Sequence, residues 1–281
     1  MDKFLKLDVK ERSAIIVNTA KKRRISEAIV EKDFWVCWTL DYLFNKFKYK
    51  DYICFKGGTS LSKAYHCIKR FSEDIDLVLD WKTLLIDEEE VYLERSKRKQ
   101  EQFNQLATKK TEEYLINNWL PIMKNDFKSM LTWDFDLYID QEDMQTICFQ
   151  YPRSFDEPSI LQVIRLEIGV LAEPFPYEDK NISSYIVEEY PKIFDQKEFS
   201  VKVVDIDRTF FEKITILHRE ANRENGNFPK RYSRHFYDVY QMIQSGIASE
   251  SLSNLDILQR VVNFMRAIGQ NIMIHVVVNV N

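Results

Sequence analysis

The segment KGGTSLSKAYHCIKRFSEDIDL at residues 56–77 decides the fold of this chain. It follows DYICF at 51–55, a short run typical of a strand that ends at Gly57 and Gly58. These are two of only six glycines in 281 residues. Residues 59–70 predict a helix, and SEDIDLVL at 72–79 alternates as a strand should. A strand, a glycine turn, a helix and an acidic strand therefore arrive within about thirty residues.

The two ends of this segment favour phosphate chemistry when they occur together. A glycine pair between a strand and a helix lets backbone N–H groups approach a phosphate closely. Asp74 and Asp76, at i and i+2 of a strand, project from one face and can hold divalent cations against triphosphate oxygens. Taken alone, either end has a structural explanation, namely a tight turn and a solvated acidic edge. Their order and spacing favour phosphoryl or nucleotidyl transfer.

A third acid would complete a metal site, and Glu167 in VIRLEIGV is the best candidate. A carboxylate inside an apolar strand is costly unless it is paired or bound to a metal. The structural alternative is a pair between Glu167 and Arg165 on an edge strand. Asp134 and Asp136 in WDFD form a competing acidic pair, but no glycine turn precedes them.

Composition excludes several other classes of protein. The formal net charge of −4 offers no global attraction to nucleic acid, so local patches such as PKRYSR at 229–234 would have to hold a polyanion. The four cysteines and four histidines show no zinc-ligand spacing, and the cysteines do not suggest a disulfide framework. No stretch approaches 18 apolar residues. We expect a cytoplasmic protein without a membrane segment.

The rest of the chain predicts a mixture of helices and strands, an α/β (α+β) fold. Helices are expected over 8–47 and, as one long helix ending or kinking at Pro121, over 87–127. Further strands are expected in LTWDFDLYID, TICFQYP, SILQVIRLEIGVLAEP and FSVKVVDI, followed by the helices RTFFEKITILHREAN and RYSRHFYDVYQMIQS.

These segments together resemble a known family. KGGTSLSKAY followed by FSEDIDL is similar to the polymerase-β-like nucleotidyltransferase superfamily, and more narrowly to the AbiEii/AbiGii-type toxins of type IV toxin–antitoxin systems. Four further segments resemble the family in the same order: EKDFWVCWTLDYLF at 31–44, IRLEIG at 164–169, RTFFEKITILHRE at 208–220 and RYSRHFYDVYQM at 231–242. The resemblance implies a nucleotidyltransferase core with a mixed sheet at 1–206, a helical C-terminal domain at 207–281, and an active site in the cleft between them.

The resemblance also implies roles for single residues. It assigns nucleotide binding to the glycine turn and its surroundings, which are Gly57, Gly58, Thr59, Lys63 and Ser72. It assigns metal binding to Asp74 and Asp76, with Glu167 as the expected third ligand. Lys213 is expected to contact nucleotide phosphates and Asp238 to position Lys213 or the acceptor. The structural alternative for Lys213 is an ion pair with Glu212 or Asp238.

Two departures from the family pattern stand near the C-terminus. Where many members have Arg-Asp-Leu-Tyr-Asp, this chain has RHFYD at 234–238, so His235 stands in place of an acid. Either Asp238 alone carries the role of that motif, or His235 alters it. The final segment, FMRAIGQNIMIHVVVNVN at 264–281, does not match the aromatic, basic terminus typical of the family.

The resemblance implies a toxin that transfers a nucleoside monophosphate from an NTP to an acceptor hydroxyl with Mg²⁺ or Mn²⁺. The expected acceptor is the tRNA 3′ end, and the expected outcome is blocked translation and growth arrest, as in abortive phage defence. A cognate antitoxin is the expected partner. Two alternatives stay open: a protein or small-molecule acceptor, and a non-catalytic nucleotide-binding module.

Overall fold

The N-terminal helices pack against one another, and the third of them is buried in the core. The computed structural model describes residues 1–222 and 232–270. Its first helices are α1 (Asp2–Leu5), α2 (Val9–Arg23) and α3 (Glu27–Asp41). Ser26 caps α3, as its position before Glu27 predicts, by accepting a hydrogen bond from the Ile29 N–H. Every residue of α3 from Val30 to Leu40 is buried, so this helix is part of the core and not a surface layer.

A mixed seven-stranded sheet forms the centre of the fold. Its strands are β1 (Ile53–Lys56), β2 (Ile75–Leu79), β3 (Asp136–Ile139), β4 (Thr146–Gln150), β5 (Ile164–Gly169), β6 (Tyr177–Ile182) and β7 (Phe199–Val204). Their order is β3-β4-β5-β2-β1-β7-β6. The pairs β1–β7 and β2–β5 are parallel, and the other neighbours are antiparallel. This confirms the predicted fold class.

The remaining helices surround the sheet and build the C-terminal part. They are α4 (Gly57–Lys63), α5 (Glu88–Tyr92), α6 (Lys97–Tyr114), α7 (Leu120–Met130), α8 (Tyr185–Glu189), α9 (Ile206–Ala221), α10 (Ser233–Gln244), α11 (Ile247–Ser251) and α12 (Leu255–Ala267). The expected domain boundary after residue 206 falls at the first residue of α9. A division into two domains remains a prediction.

Three sequence-based expectations need correction. The helix expected over 59–70 ends at Lys63, and residues 64–74 reach β2 without a helix or strand. The long helix expected over 87–127 is divided by residues 93–96 and by a π-helical turn, Leu115–Trp119, just before Pro121. Strand β6 was not predicted at all.

Three further findings concern whole segments. Within residues 1–222 and 232–270, no helix is both long enough and apolar enough to cross a membrane. The expected patch at 229–234 lies partly outside the described residues, because 229–231 are not among them. The atypical C-terminal segment also lies outside the described residues from 271 onward.

Candidate active site

A cavity of about 590 Å³ lies between the central strands and the helices α9 and α10. One side, which we call the acidic wall, consists of Asp74, Asp76 and Glu167. Asp76 of β2 is the register partner of Glu167 on the parallel neighbour β5. Asp74 immediately precedes β2. Sheet register therefore places Glu167 beside the Asp74–Asp76 pair, from which it is distant in sequence.

The acids of this wall repel one another. Burial and the charge of Glu167 raise the pKa of Asp76 from 3.8 to about 7. Burial and Asp74 likewise raise the pKa of Glu167, and burial and Glu73 raise that of Asp74. Three carboxylates with raised pKa values in one cavity are an arrangement that bound positive charge would relieve.

The glycine pair stands directly beside the acidic wall. Gly57 has a φ of +79°, and a Cβ added to it would lie 1.8 Å from the Asp76 Oδ2 atom. A Cβ on Gly58 would lie 2.7 Å from an Arg70 guanidinium nitrogen and 2.8 Å from the Ser72 hydroxyl oxygen. Gly57 therefore permits a close approach of Asp76 that a Cβ would block, whereas at Gly58 the nearest atoms belong to the movable ends of two side chains.

The cavity is also lined by the cations Lys56, Arg70, Lys213, Arg219 and Arg234, which we call the basic wall. Asp238 of α10 organises two of them. Its carboxylate accepts two hydrogen bonds of 2.9 Å from Arg70 and one of 3.0 Å from the Lys213 Nζ. Burial opposes ionisation of Asp238, but these two cations hold its pKa below the usual value. Lys213 and Asp238, predicted from separate segments, thus meet in one ion-pair cluster.

Comparison with known proteins places the chain in a family. The family model described as "Nucleotidyl transferase AbiEii toxin, Type IV TA system" matches residues 38–268, most of the chain. The chain belongs to this AbiEii family. A comparison with curated proteins gives no match.

The AbiEii chain brings most of the predicted site residues to the cavity. Seven of them line it with Glu167: Gly57, Gly58, Ser72, Asp74, Asp76, Lys213 and Asp238. Thr59 lies behind the cavity, where its hydroxyl donates to the Asp74 carbonyl oxygen at 2.5 Å. It holds the acid-bearing backbone and is buried.

Lys63 is not brought to the cavity, against expectation. It is the last residue of α4, and its ammonium group forms a buried ion pair with Asp33 of α3. Its Nζ also lies 3.3 Å from the Ser183 carbonyl oxygen. The physical reason is its distance along the helix from Gly57, because α4 carries Lys63 from the cavity toward α3.

Glu167 makes the contact with Arg165 that the structural alternative predicts, but the expected edge strand is wrong, because β5 is an inner strand of the sheet. A metal-binding role for Glu167 stays a prediction. Its Oε1 atom lies 3.4 Å from the Arg165 Nε, yet the side chain also lines the cavity beside Asp76. The rival acids Asp134 and Asp136 are exposed and do not line the cavity formed by the described residues. Position alone therefore favours the Asp74–Asp76 pair.

The AbiEii site contains residues that the sequence did not single out. Lys56 lies beside Asp76 in the β1–β2 ladder, and its Nζ is 3.0 Å from a Glu212 carboxylate oxygen. Arg70 lies in the quoted segment but was not assigned a role. His235, already named as a departure from the family pattern, also lines the cavity. Among the described residues its buried Nδ1 atom has no hydrogen-bond partner, and burial and Lys213 lower its pKa. The sequence signal for Lys56 was its position directly before the glycine pair.

The donor set fits a hard divalent cation. Carboxylate oxygens are the ligands that Mg²⁺ and Mn²⁺ prefer, and burial together with neighbouring acids raises the pKa values of all three carboxyl groups, so that a bound cation would favour their ionised form. Among the described residues, no three His, Cys, Asp or Glu side chains are grouped closely enough to form a metal site. Asp74 and Asp76 are the residues that would hold the ion, with Glu167 beside them.

Proposed function

We propose that this AbiEii protein transfers a nucleoside monophosphate from an NTP to the 3′-terminal hydroxyl of tRNA, and so blocks translation. The observation that carries the proposal is that both walls line one cavity. Three carboxylates that favour a cation share this cavity with five cations that favour a triphosphate. The glycine pair between them leaves room for phosphate oxygens near the backbone.

The residues of the cavity account for each step of the proposed reaction. The acceptor oxygen attacks the α-phosphorus, the bond from this phosphorus to the bridging oxygen breaks, and pyrophosphate leaves. The acceptor proton passes to a carboxylate of the acidic wall. Lys213, Arg70 and Lys56 neutralise charge on the outer phosphates, and Asp238 holds Lys213 and Arg70 in place. A bound Mg²⁺ or Mn²⁺ would supply further neutralisation of the triphosphate.

The cellular setting of this proposal follows the family. A type IV toxin–antitoxin family implies a cognate antitoxin. We place the reaction in the cytoplasm, where NTPs and tRNA occur together, and expect growth arrest that limits phage spread.

The test is transfer of label from each of the four NTPs to total tRNA in the presence of Mg²⁺. We expect one or more NTPs to give RNA-bound label that RNase releases. Asp74→Asn combined with Asp76→Asn should lower the rate at least about 100-fold, the scale of losing preorganised electrostatic contacts to a transition state. The matched control is Asp134→Asn combined with Asp136→Asn, which makes the same change in the exposed rival pair.

Each contrary outcome has its own meaning. Label that survives RNase and migrates with protein would identify a protein acceptor in place of tRNA. Nucleotide binding without transfer to any acceptor would indicate a binding module. Equal transfer by the Asp74/Asp76 double variant would remove the acidic wall from the mechanism.

A further inference from the structure

Three consecutive charged residues lie in the core of helix α3. Glu31, Lys32 and Asp33 are 3%, 0% and 0% exposed. Successive residues of a helix point about 100° apart, so the three side chains reach three different neighbours. Burying three charges in a row is costly unless each finds a partner, and each does. None of these residues lines the active-site cavity.

Lys32 holds the segment that carries the first acid of the site. Its Nζ lies 2.6 Å from the Glu73 Oε2 atom and also donates to the Leu161 carbonyl oxygen. Glu73 immediately precedes Asp74, in the stretch between α4 and β2 that has no helix or strand of its own. Such a stretch needs tertiary contacts to keep one conformation. Lys32 and the Thr59 hydroxyl, which binds the Asp74 carbonyl oxygen, supply them from behind the cavity.

Asp33 holds the helix that carries the glycine pair. It forms the buried ion pair with Lys63 at the end of α4, and its Oδ2 accepts a hydrogen bond of 2.7 Å from the Tyr185 N–H. The Lys63 ammonium also lies 3.9 Å from the centre of the Tyr185 ring. Since α4 is only seven residues long and begins at Gly57, fixing Lys63 fixes the glycine end as well.

Stability alone does not explain these two ion pairs. Replacing a buried ion pair with uncharged side chains of similar volume is often neutral or stabilising. Here the Asp33–Lys63 pair ends on α4, which bears Gly57 and Gly58. The Lys32–Glu73 pair ends on the short segment that bears Asp74. We propose that Lys32 and Asp33 are positioning residues, which hold the metal-binding and the nucleotide-binding segment of the site, respectively. The kinetic part of this inference rests on the proposed function.

Two neutral-pair variants test the proposal. Lys32→Met with Glu73→Gln, and Asp33→Asn with Lys63→Met, remove each ion pair without leaving an unpaired charge. The readouts are Mn²⁺ binding in the presence of NTP, followed by electron paramagnetic resonance, and kcat and KM for the NTP. We expect the Lys32/Glu73 variant to weaken Mn²⁺ binding and lower kcat by about 10–100-fold, the range found for outer-shell partners of metal ligands.

The Asp33/Lys63 variant should instead raise KM for the NTP about tenfold or more, with less effect on Mn²⁺ affinity. The matched control is Tyr42→Phe, directly after α3. It removes a hydrogen bond of 2.6 Å to Asp126 on α7, away from the cavity, and should leave all three parameters unchanged. Should a double variant fold poorly, Glu73→Gln alone keeps a hydrogen-bond acceptor for Lys32 and should show a smaller loss of Mn²⁺ affinity.

Wild-type Mn²⁺ affinity, kcat and KM in both folded double variants would overturn the proposal. A fall of kcat and of the number of Mn²⁺ sites in proportion to the folded fraction, with wild-type KM and Mn²⁺ affinity, would overturn it too, since that result describes a purely structural role. Mn²⁺ binding needs no acceptor, so it separates this inference from the proposed reaction. If the wild type binds Mn²⁺ with NTP, the Lys32/Glu73 variant weakens that binding and neither protein transfers nucleotide, the reaction fails and the positioning role stands.

Discussion

At the residue scale, Gly57 is the position where the backbone and the site constrain each other most closely. Its φ of +79° belongs to the left-handed region, and the space where a Cβ would stand is occupied by the Asp76 carboxylate. A side chain here would strain the backbone and also displace a predicted metal ligand. Gly57 therefore leaves space for the Asp76 carboxylate as well as allowing the turn.

Gly57→Ala should separate these two effects when compared with Gly246→Ala. Gly246 also has a positive φ, +86°, but no atom lies within 4 Å of an added Cβ. Both variants should lose about 1 kcal/mol of unfolding free energy through left-handed strain. Only Gly57→Ala should lower kcat/KM, by about 100-fold, because it moves Asp76. Equal activity of the two variants in the transfer assay would contradict the contact between Gly57 and Asp76.

Ionisation of Asp76 makes the unfolding free energy of the metal-free protein depend on pH. Its pKa is about 7 in the folded protein and 3.8 ordinarily, so the folded state binds more protons between these values. The free energy of unfolding should therefore fall as pH rises from about 4 to about 7. Asp76→Asn cannot lose that proton and should show a smaller fall, because Asp74 and Glu167, whose pKa values are also raised, still ionise.

The measurement is thermal unfolding in a chelator across this pH range. The melting temperature of the wild type should drop below that of Asp76→Asn as the pH approaches 7. Added Mn²⁺ should restore the wild type, because a bound cation stabilises the ionised carboxylate, and should not restore the variant equally. Parallel curves for the two proteins would show that Asp76 ionises normally.

At the element scale, the sequence predicts what short-range patterns determine and misses what distant contacts determine. The apolar alternation of β2 placed Ile75, Leu77 and Leu79 on one face, and all three lie in the main core. The end of α4 at Lys63 was not visible, because its partner Asp33 is thirty positions away. Local sequence favoured a longer helix there.

Two other misses have physical causes of their own. Strand β6 reads YEDKNI, with only its last residue buried, and it pairs on one side only, as the edge of the sheet. Such a polar edge strand carries little apolar alternation to detect. Pro121 was expected to end or kink a helix, and a π-helical turn precedes it instead, a known way for a helix to adapt.

At the scale of the whole molecule, ion pairs join the loops beside the sheet strands to the C-terminal helices. Arg208 of α9 is fully buried and binds Glu173, in the loop after β5, which also contacts Arg260 of α12 at 2.7 Å. Nearer the cavity, Arg70 reaches from the loop before β2 to Asp238 of α10. Arg70 thus connects the segment that carries Asp74 and Asp76 with the helices that carry Lys213 and Asp238.

Arg70→Lys should show whether this connection matters for catalysis. Lysine keeps the positive charge but cannot reproduce the two parallel hydrogen bonds of 2.9 Å that the guanidinium donates to Asp238. We expect kcat/KM to fall about tenfold because α10 and Lys213 lose their fixed relation to the acidic wall. The unfolding free energy should change by no more than about 1 kcal/mol, since the Arg70 side chain is partly exposed.

Arg260→Lys makes the same substitution in a contact away from the cavity and should keep wild-type activity. If Arg70→Lys transfers label as fast as Arg260→Lys, the charge alone suffices and the two walls keep their spacing without the guanidinium.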